Sequence, residues 1–451
     1  MDADGRDEHI RELEAENAAL REENARLKAT IEELLKRIEQ LEREAHRQAA
    51  PFRRREKKRK PPGQHRKIGR PKGHPPAWRR APEQVDEEIV VPLRTCPHCA
   101  GPLANITVCE QFIEDLPAIR PHVTRLVTYV GQCSSCGEVR STHPRQVSTA
   151  SGAAGTQLGP RALGLAAWLN KHLGLPTRGT CRVLKQLGGL SITPGGLVQA
   201  LHRVAAKSEA AFEALIAGLR QQAAVYADET SWWLGGSGRW LWGFTTEERT
   251  VYRVDASRGR DVVLETLGDQ FGGVLVSDCL ASYENLPYRM HKCYAHHLKA
   301  IAAGRERAPP EAQVAFDELA TLLKAAMVLK GMQPELSLAE YAQRCANLEQ
   351  SADRLLTPRA GLAEKARTRL RKRRAHLFTF LYHPAVEPTN NRAERALRPA
   401  VIARKLSCGN KTERGAHTWE ILTSLAATCR QRSEDFVTFL RPHLILTATP
   451  R

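Results

Sequence analysis

Apolar residues recur in a seven-residue pattern along the first fifty positions of the chain. Leucine occupies one core position of each heptad and isoleucine or asparagine the other, which predicts a parallel coiled coil over residues 1–50. Isoleucine combined with leucine in this way favours two strands, so we expect a homodimer; a single amphipathic helix packed on its own chain is the alternative. The predicted dimer contacts are Leu13, Asn17, Leu20, Asn24, Leu27, Ile31, Leu34, Ile38 and Leu41.

Two short apolar runs farther along the chain predict buried strands, and an aspartate follows each of them. Residues 223–227 lead to Asp228 and residues 272–277 lead to Asp278, so each strand should carry its aspartate at its end. Two further strands are predicted between these runs, at residues 239–245 and 250–255. The pattern indicates a sheet rich in hairpins with acidic residues at strand ends.

A third acidic residue, Glu394, lies on a helix predicted late in the sequence. Pro388 and Thr389 are typical of a helix start, and Pro399 should end the regular helix. Glu394 and Arg398 share the polar face, because they are four residues apart. The apolar stripe of this helix consists of Ala393, Ala396, Leu397 and Ala400.

The three acidic residues together suggest a metal site. Hard divalent cations prefer oxygen ligands and bind phosphate groups beside them, so Asp228, Asp278 and Glu394 suit two Mg²⁺ or Mn²⁺ ions per active site. The chemistry implied is phosphoryl transfer on nucleic acid. Acidic residues are common in any long chain, however, and a surface salt bridge between Glu394 and the arginines beside it is the alternative interpretation of that helix.

The length and the charge of the chain agree with a nucleic-acid partner. A chain of 451 residues exceeds one ordinary domain and should form several units with cores of their own. Its formal net charge of +18 indicates a polyanionic partner, because Lys and Arg gain affinity for nucleic acid by releasing counterions. An anionic membrane surface would also suit this charge, but the sequence has no run of about twenty apolar residues and no signal-peptide pattern. We expect a cytoplasmic protein that acts at the prokaryotic nucleoid.

Three motifs give the chain its resemblance to a known family: Ala-Asp-Glu-Thr at 227–230, Ser-Asp at 277–278, and Asn-Asn-Arg-Ala-Glu-Arg-Ala-Leu-Arg-Pro at 390–399. They resemble the transposases of the insertion sequence sixty-six type, the TnpC-like proteins. The resemblance implies a ribonuclease-H-like core in which Asp228, Asp278 and Glu394 form an Asp-Asp-Glu (DDE) triad of metal ligands. It also implies binding and cleavage of the terminal repeats of the element and strand transfer into target DNA, with accessory proteins of the same element as further partners.

One segment departs from that family's usual Cys-Trp-Ala-His pattern, since residues 293–299 are Cys-Tyr-Ala-His-His-Leu-Lys. We interpret it as a helix beside the active site, in which His296 contacts DNA or orients a carboxylate and Lys299 contacts DNA. A second metal cluster is the alternative, because imidazole and thiolate groups suit zinc. Its ligands would be His291, Cys293, His296 and His297.

Residues 51–85 are predicted to be a basic linker without a core, because prolines and glycines interrupt a strongly basic segment. The triplet Gly69-Arg70-Pro71 resembles the centre of an AT-hook, in which an extended arginine enters a narrow minor groove. Phosphate binding by a disordered tether is the alternative. The predicted DNA contacts of this linker are Arg66, Lys67, Arg70 and Lys72.

Two Cys-x-x-Cys pairs, Cys96 with Cys99 and Cys133 with Cys136, lie within residues 86–150. Four thiolates at this spacing suit a tetrahedral structural Zn²⁺ ion, so we predict a zinc ribbon with a strand at residues 123–130 between the pairs. Two disulfide bonds are the alternative, which a reducing cytosol disfavours.

The remaining segments complete a multidomain α+β architecture. Short helices separated by glycine-containing turns predict a helix-turn-helix-like DNA-binding region at residues 151–220, although three such helices also form ordinary cores. The catalytic α/β core should comprise residues 221–304, interrupted by a helical insertion at 305–385 and completed at 386–451 by the core helix and a C-terminal tail. The basic residues of the core helix that we expect to contact DNA are Arg392, Arg395, Arg398, Arg404 and Lys405.

Two other classes of protein fit parts of this pattern. A non-catalytic DNA-binding regulator would use the zipper, the zinc ribbon and the basic segments alone. A ribonuclease-H-like nuclease would cut nucleic acid without joining ends, so strand-transfer products distinguish it from a transposase.

Overall fold

The structure, a computed structural model, describes residues 20–23, 25, 79–150, 155–358 and 361–445. The chain divides into two compact units, Met1–Asp115 and Leu116–Arg451. The predicted coiled-coil contacts lie outside the described residues except for Leu20, which is helical and half exposed. The predicted linker contacts Arg66, Lys67, Arg70 and Lys72 also lie outside them.

In the first unit, residues 79–115 form neither a helix nor a strand. A tight turn holds the first cysteine pair: the amide of Ala100 donates to the carbonyl of Cys96 at 2.8 Å, and the amide of Cys96 donates to the carbonyl of Gly101 at 3.0 Å. Apolar side chains of this segment, such as Val91 and Ile113, remain exposed. Turn hydrogen bonds, rather than a buried core, therefore shape this part of the chain.

In the second unit, a short hairpin holds the other cysteine pair. Strand β1 (Val130–Cys133) pairs antiparallel with β2 (Gly137–Arg140), and Gly137 takes a positive φ of 74°, which glycine adopts without strain. The strand predicted at residues 123–130 is wrong except for its last residue, because residues 123–129 are irregular. Val123 and Val127 stay exposed there, so no neighbouring surface stabilises an extended strand.

Four helices follow the hairpin: α1 (Pro160–Ala167, continued by a π-helical turn at Trp168–His172), α2 (Thr177–Gly188), α3 (Pro194–Lys207) and α4 (Glu209–Leu219). The first three are the short helices that the sequence predicts. Local signals fix their ends, because Gly189 caps α2 with a positive φ of 63° and Thr193 Oγ1 accepts a hydrogen bond from the amide of Gly196 at the start of α3.

The strands of the central sheet are β3 (Ala224–Leu234), β4 (Ser237–Thr245), β5 (Thr250–Asp255), β6 (Val274–Ser277) and β7 (Arg289–Lys292). Their order in the sheet is β5-β4-β3-β6-β7. The first three form an antiparallel meander, whereas β6 and β7 run parallel to β3. The strands predicted at 239–245, 250–255 and 272–277 correspond to β4, β5 and β6.

The first predicted strand is longer in the structure than the sequence suggests. Strand β3 continues past Asp228 to Leu234, with Asp228 opposite Gly243 of β4, so the prediction that Asp228 ends its strand is wrong. The hairpin partner β4 extends β3 beyond its apolar run. The parallel pairing with β6 stops at Tyr226, however, and Asp228 lies just beyond the part of β3 that β6 covers. Asp278 directly follows β6, as predicted.

The remaining helices are α5 (Arg260–Leu267), α6 (Tyr294–Arg305), α7 (Pro310–Met332), α8 (Leu338–Leu355), α9 (Glu364–Arg371), α10 (Thr379–Tyr382), α11 (Asn391–Ser407), α12 (Glu413–Gln431) and α13 (Phe436–Leu444). Helices α7 to α10 occupy the predicted helical insertion. Where the chain is described, every helix is too short or too polar to cross a membrane.

Helix α11 corrects a second expectation. It continues through Pro399 to Ser407, so the predicted end at Pro399 is wrong. The predicted apolar stripe is confirmed, because Ala393, Leu397 and Ala400 are buried. This packing outweighs the backbone hydrogen bond that a proline inside a helix cannot donate.

Side chains of the central strands alternate between two hydrophobic cores, one on each face of the sheet. Val225 of β3 and Leu275 of β6 belong to a core that also contains residues of α1 to α4, α12 and α13. Tyr226 and Val276 belong to a second core, formed with α6 and the insertion helices. The helical region at 151–220 therefore shares its core with the sheet.

Helix α11 lies close to the sheet at Gly243. A Cβ atom at this position would lie 2.9 Å from Leu397 Cδ2, which is closer than ordinary carbon contacts. Beside it, the hydroxyl of Tyr252 donates to the carbonyl of Ala396 at 2.5 Å. Gly243 thus sets the distance between the sheet and the helix that carries Glu394.

We expect Gly243→Ala to destabilise the protein by about 1–3 kcal/mol, because the added methyl group pushes Leu397 away from the sheet. Urea denaturation followed by circular dichroism measures the free energy of unfolding. Gly238→Ala in the same strand is the matched control, because nothing lies within 4 Å of its added Cβ atom. Equal stability of the two variants would contradict this account of the contact.

Candidate active site

Three acidic side chains lie on elements that pack near one another, namely β3, the end of β6 and α11. Asp228 lies in β3, Asp278 directly follows β6, and Glu394 is in the first turn of α11. Burial raises the pKa of Asp228 from its usual 3.8 to about 7, and the negative charges of Glu229, Asp278 and Glu394 add to the increase. The carboxylates therefore lie near enough to repel one another.

A series of hydrogen bonds holds these elements together. The side-chain amide of Asn390, a fully buried residue, donates to the carbonyl of Ala227 at 2.8 Å. The backbone amide of Asn390 donates to the Sγ atom of Cys293 at 3.1 Å, and the amide of Cys293 donates to the carbonyl of Ser277 at 2.9 Å. The residues that immediately precede Asp228, Asp278 and α11 are joined in this way through the start of α6.

A buried lysine supports the loop that carries Asp278. Lys292, 1% exposed, donates from Nζ to Ser277 Oγ and to the carbonyl of Tyr283, both at 3.0 Å. Burial lowers the pKa of Lys292 to about 8, and Asp278 is among the negative groups that oppose this decrease. The amide of Leu280 donates to Asp278 Oδ1 at 2.9 Å. The sequence analysis did not identify Lys292. Its position as the last residue of β7 is the one feature that could have pointed to it.

A fourth acidic residue, Glu229, was also missed. Its side chain is 2% exposed, and Arg258 donates to Oε1 from Nη2 at 2.8 Å. The hydroxyl of Tyr283 donates to Oε2 at 2.7 Å, and the Arg258 guanidinium lies over the ring of Trp240. Glu229 is thus held by protein partners while its charge still acts on Asp228. Its position directly after Asp228 is the feature of the sequence that could have identified it.

Glu394 and the two arginines that flank it on α11, Arg395 and Arg398, are exposed. The ion pair of the first helical turn instead joins Arg392 to Glu387 at 2.5 Å. In the described residues no ion pair links Glu394 to an arginine, so the surface salt bridge considered from the sequence is not formed. The carboxylate of Glu394 and both guanidinium groups remain accessible to a substrate.

Two of the other predicted DNA contacts on α11 have protein partners. Arg392 pairs with Glu387 and lies over the ring of Tyr226, and Arg404 donates to Thr230 Oγ1 at 3.1 Å. Both arginines thereby attach α11 to neighbouring parts of the core. Lys405 is half-buried in the last turn of the same helix.

The segment after β7 forms the predicted helix, since α6 begins at Tyr294. Lys299 is exposed on it, and His296 is half-buried. Over the described ranges, no group of three or more His, Cys, Asp or Glu side chains is placed so that it could hold a metal ion, and this applies to the three acidic residues and to the two cysteine pairs as well as to the alternative cluster. The alternative cluster is therefore absent there, and its members have separate partners: His291 faces the carbonyls of His376 and Pro388, Cys293 accepts from Asn390, and His297 faces Cys279.

The two cysteine pairs occupy similar turns. In each turn, backbone amides two and three residues ahead donate to the first thiol and lower the pKa of Cys96 and of Cys133. Such hydrogen bonds favour the thiolate form that binds zinc. All eleven cysteines lie within the described residues and are free thiols, so the two disulfide bonds considered from the sequence are not formed.

Comparison with known proteins places the chain in a family of transposases. The sequence profile of a transposase family, described as "Transposase IS66 family", matches residues 155–418, which is more than half of the 451-residue chain. The chain belongs to this IS66 family. The matched region extends from the start of the helical region into α12 and contains all three acidic residues of the site.

One relative is the "Uncharacterized protein y4qI" of Sinorhizobium fredii. It is 29% identical over 246 residues, and the alignment covers 47% of this chain and 45% of that protein. The chain thus spans less than half the length of this relative.

We expect Asp228→Asn to stabilise the metal-free protein at pH 7–8 by roughly 1–3 kcal/mol. The pKa of Asp228 is higher in the folded protein than its usual 3.8, so its favourable contribution to stability is lost as pH rises towards about 7. Thermal unfolding in EDTA between pH 5 and pH 8 measures this. Asp261→Asn, at a side chain that is 77% exposed, is the control and should leave the pH profile unchanged. If Asp228→Asn destabilised the protein at pH 8, burial and repulsion between the carboxylates could not be the cause of the raised pKa.

Proposed function

We propose that this protein is a DDE transposase that binds the terminal repeats of its insertion sequence, cleaves DNA there and joins the freed ends to target DNA. The observation that carries the proposal is the convergence of Asp228, Asp278 and Glu394 from three separate motifs. Membership of a transposase family supports the same conclusion.

A ribonuclease-H-like core is the fold that we propose for this site. Its support is the sheet, in which the antiparallel meander of β3, β4 and β5 is followed by two strands parallel to β3. The chain leaves this core after α6, forms the helical insertion, and returns with Glu394 on α11. The two aspartates and the glutamate thus come from opposite sides of the insertion.

The chemistry of the three carboxylates suits divalent cations, Mg²⁺ or Mn²⁺. Hard cations prefer oxygen ligands, and the raised pKa of Asp228 reflects burial and repulsion that positive charge would relieve. We propose that Asp228, Asp278 and Glu394 would together hold two such ions. Bound ions would activate a water molecule or a hydroxyl group and stabilise charge on the transferring phosphoryl group.

Two phosphoryl transfers make up the proposed reaction. Water attacks the phosphodiester at the transposon end, the bond from phosphorus to the 3′ oxygen breaks, and a 3′ hydroxyl is left. That hydroxyl attacks a phosphodiester of the target, whose own 3′ oxygen departs. Within the chain, Asn390 and Lys292 keep the acidic residues in position, and Arg395 and Arg398 hold substrate phosphates.

The other predicted parts of the protein have roles in the same proposal. The N-terminal zipper would pair two copies of the chain, and the basic linker would add contacts to DNA. His296 and Lys299 on α6 would contact the strand near the carboxylates. Accessory proteins of the same element would be further partners, in the cytoplasm at the prokaryotic nucleoid.

We expect Asp278→Asn and Glu394→Gln each to reduce metal-dependent nicking and joining by roughly 10²-fold or more, because each removes an anionic ligand. The assay uses a labelled duplex that carries the ends of the element, with Mg²⁺ or Mn²⁺, and separates the products by gel electrophoresis. DNA binding in EDTA should persist in both variants. Glu413→Gln, at a side chain that is 79% exposed, is the control.

Each outcome of this assay separates the candidate functions. Strand transfer retained by Asp278→Asn or Glu394→Gln would overturn the triad. Cleavage without joining by the wild-type protein would indicate a nuclease. Binding without cleavage, even after the accessory proteins are added, would indicate a non-catalytic regulator.

We also propose that Cys96, Cys99, Cys133 and Cys136 bind one structural Zn²⁺ ion. The amide hydrogen bonds to Cys96 and Cys133 support this role, because they favour thiolates. Four protein ligands leave no open coordination position, so this ion would stabilise the ribbon and take no part in the reaction.

We expect about one Zn²⁺ ion per chain in the purified wild-type protein, measured by inductively coupled plasma mass spectrometry. Cys99→Ser and Cys136→Ser should each lose most of this zinc, because each removes a ligand. Cys408→Ser, at another exposed cysteine, should retain it. Full zinc content in both ligand variants would rule out the four-cysteine site.

A further inference from the structure

A cavity of about 340 Å³ lies among the π-helical turn after α1, helix α11 and helix α12. Its volume is in the range of small-molecule sites rather than of a whole macromolecular interface. Within the described part of the chain, its lining contains no acidic side chain. The basic side chains that line it are Lys171, His172, Arg395, Arg398 and Arg430.

Among the residues that the structure describes, no anionic partner accompanies the cations of this cavity. In the described residues, Lys171, Arg395, Arg398 and Arg430 form no ion pair and no side-chain hydrogen bond. Burial lowers the pKa of Lys171 to about 8. Burial also lowers the pKa of His172, and the charge of Arg430 adds to that decrease. A cluster of like charges without a counter-charge is unfavourable and would be stabilised by a bound anion.

A buried hydroxyl group in the same cavity also lacks a partner. Thr423 of α12 lines the cavity and is 6% exposed, and its Oγ1 atom has no hydrogen-bond partner in the described structure. An unpaired buried hydroxyl costs stability unless a ligand completes it. The adjacent π-helical turn is a rare conformation that is often found at functional sites.

One wall of the cavity is apolar. Pro399 and Ile402 of α11 and Trp419 of α12 contribute this apolar surface, next to the basic side chains. A phosphate group alone would use only the basic side of such a cavity. A nucleotide would use both sides, because its sugar and base present apolar surface next to the phosphate.

We infer that this cavity binds one nucleotide of a DNA strand, with the phosphate among Lys171, Arg395, Arg398 and Arg430 and the sugar or base against Pro399 and Ile402. Thr423 Oγ1 donates a hydrogen bond to the phosphate. The inference rests on the proposed function for the identity of the strand, since that function makes DNA the substrate.

The position of the cavity relative to the acidic residues explains its use. Arg395 directly follows Glu394, and Arg398 lies four residues beyond Glu394, about 6 Å along the axis of α11. A strand held in the cavity would therefore pass the carboxylates within a nucleotide or two. Lys171 and His172 come from the helical region, so the cavity joins that region to the catalytic helix.

The test measures binding of a fluorescein-labelled single-stranded decanucleotide in EDTA, as a function of salt, with no catalysis required. Lys171→Gln and Arg430→Gln should each weaken binding roughly tenfold at low salt and lower the slope of log K against log salt by about 0.7. Arg441→Gln, an exposed cation on α13 outside the cavity, is the charge-matched control and should behave nearly as the wild type does.

Thr423→Val adds a readout that a purely structural residue would not produce. Binding should weaken about threefold or more, while the unfolding temperature of the free protein does not fall, because the lost hydroxyl has no partner in it. The inference would be overturned if all three cavity variants bound the decanucleotide as tightly as Arg441→Gln does and with the same dependence on salt.

A footprint on the wild-type protein avoids any dependence on folded variants. The decanucleotide should protect Lys171 from acetylation, as measured by mass spectrometry, and leave the exposed Lys185 of α2 reactive. Equal labelling of Lys171 with and without DNA would also overturn the inference. Neither experiment uses Asp278 or Glu394, so loss of the cavity and loss of the proposed catalysis give separate results.

Discussion

Strand β3 is longer than its parallel neighbour β6. The arrangement of the candidate active site depends on the hydrogen bond that β3 receives just beyond its pairing with β6. A buried carbonyl that has lost its strand partner needs another donor. For Ala227 that donor is the side chain of Asn390, which lies 163 positions away in the sequence at the start of α11. The bond that satisfies the strand therefore also places Glu394 next to Asp228. The insertion can be long because this contact defines where the chain returns.

Some acidic residues of the site lie beside a cation, whereas the charges that act on Asp228 are those of other carboxylates. This difference marks the position where chemistry would occur. Glu229 has Arg258 and a tyrosine hydroxyl as partners, and the loop of Asp278 has Lys292 beneath it. Among the described residues no cation pairs with Asp228, and burial and neighbouring carboxylates raise its pKa to about 7. Proteins tolerate an uncompensated acid of this kind mainly where it serves a function. The acid with the raised pKa is thus one of the three residues that would hold the proposed cations.

Features with a local periodic signal could be predicted from the sequence, and features set by distant packing could not. Strand β5 and the apolar stripe of α11 follow from repeats of two and of three to four residues, and Asp278 follows an apolar run that ends where β6 ends. The extension of β3 past Asp228 depends on pairing with β4, and the passage of α11 through Pro399 depends on burial of Leu397. Lysine side chains are usually exposed, so the burial of Lys292 could not be predicted from residue type alone.

Helix α11 carries both an acidic residue of the site and two arginines of the basic cavity, so the distance between them is set within one rigid element. Its first turn carries Glu394, and its next turns carry the arginines of the basic cavity. Lys171 and His172, which also line that cavity, come from the helical region, whose residues share one hydrophobic core with the sheet. Because packed cores resist deformation, a strand bound at Lys171 would be held at a fixed distance from the carboxylates. Substrate position and metal chemistry would then depend on the same contacts, those that attach α11 to β3 and β4.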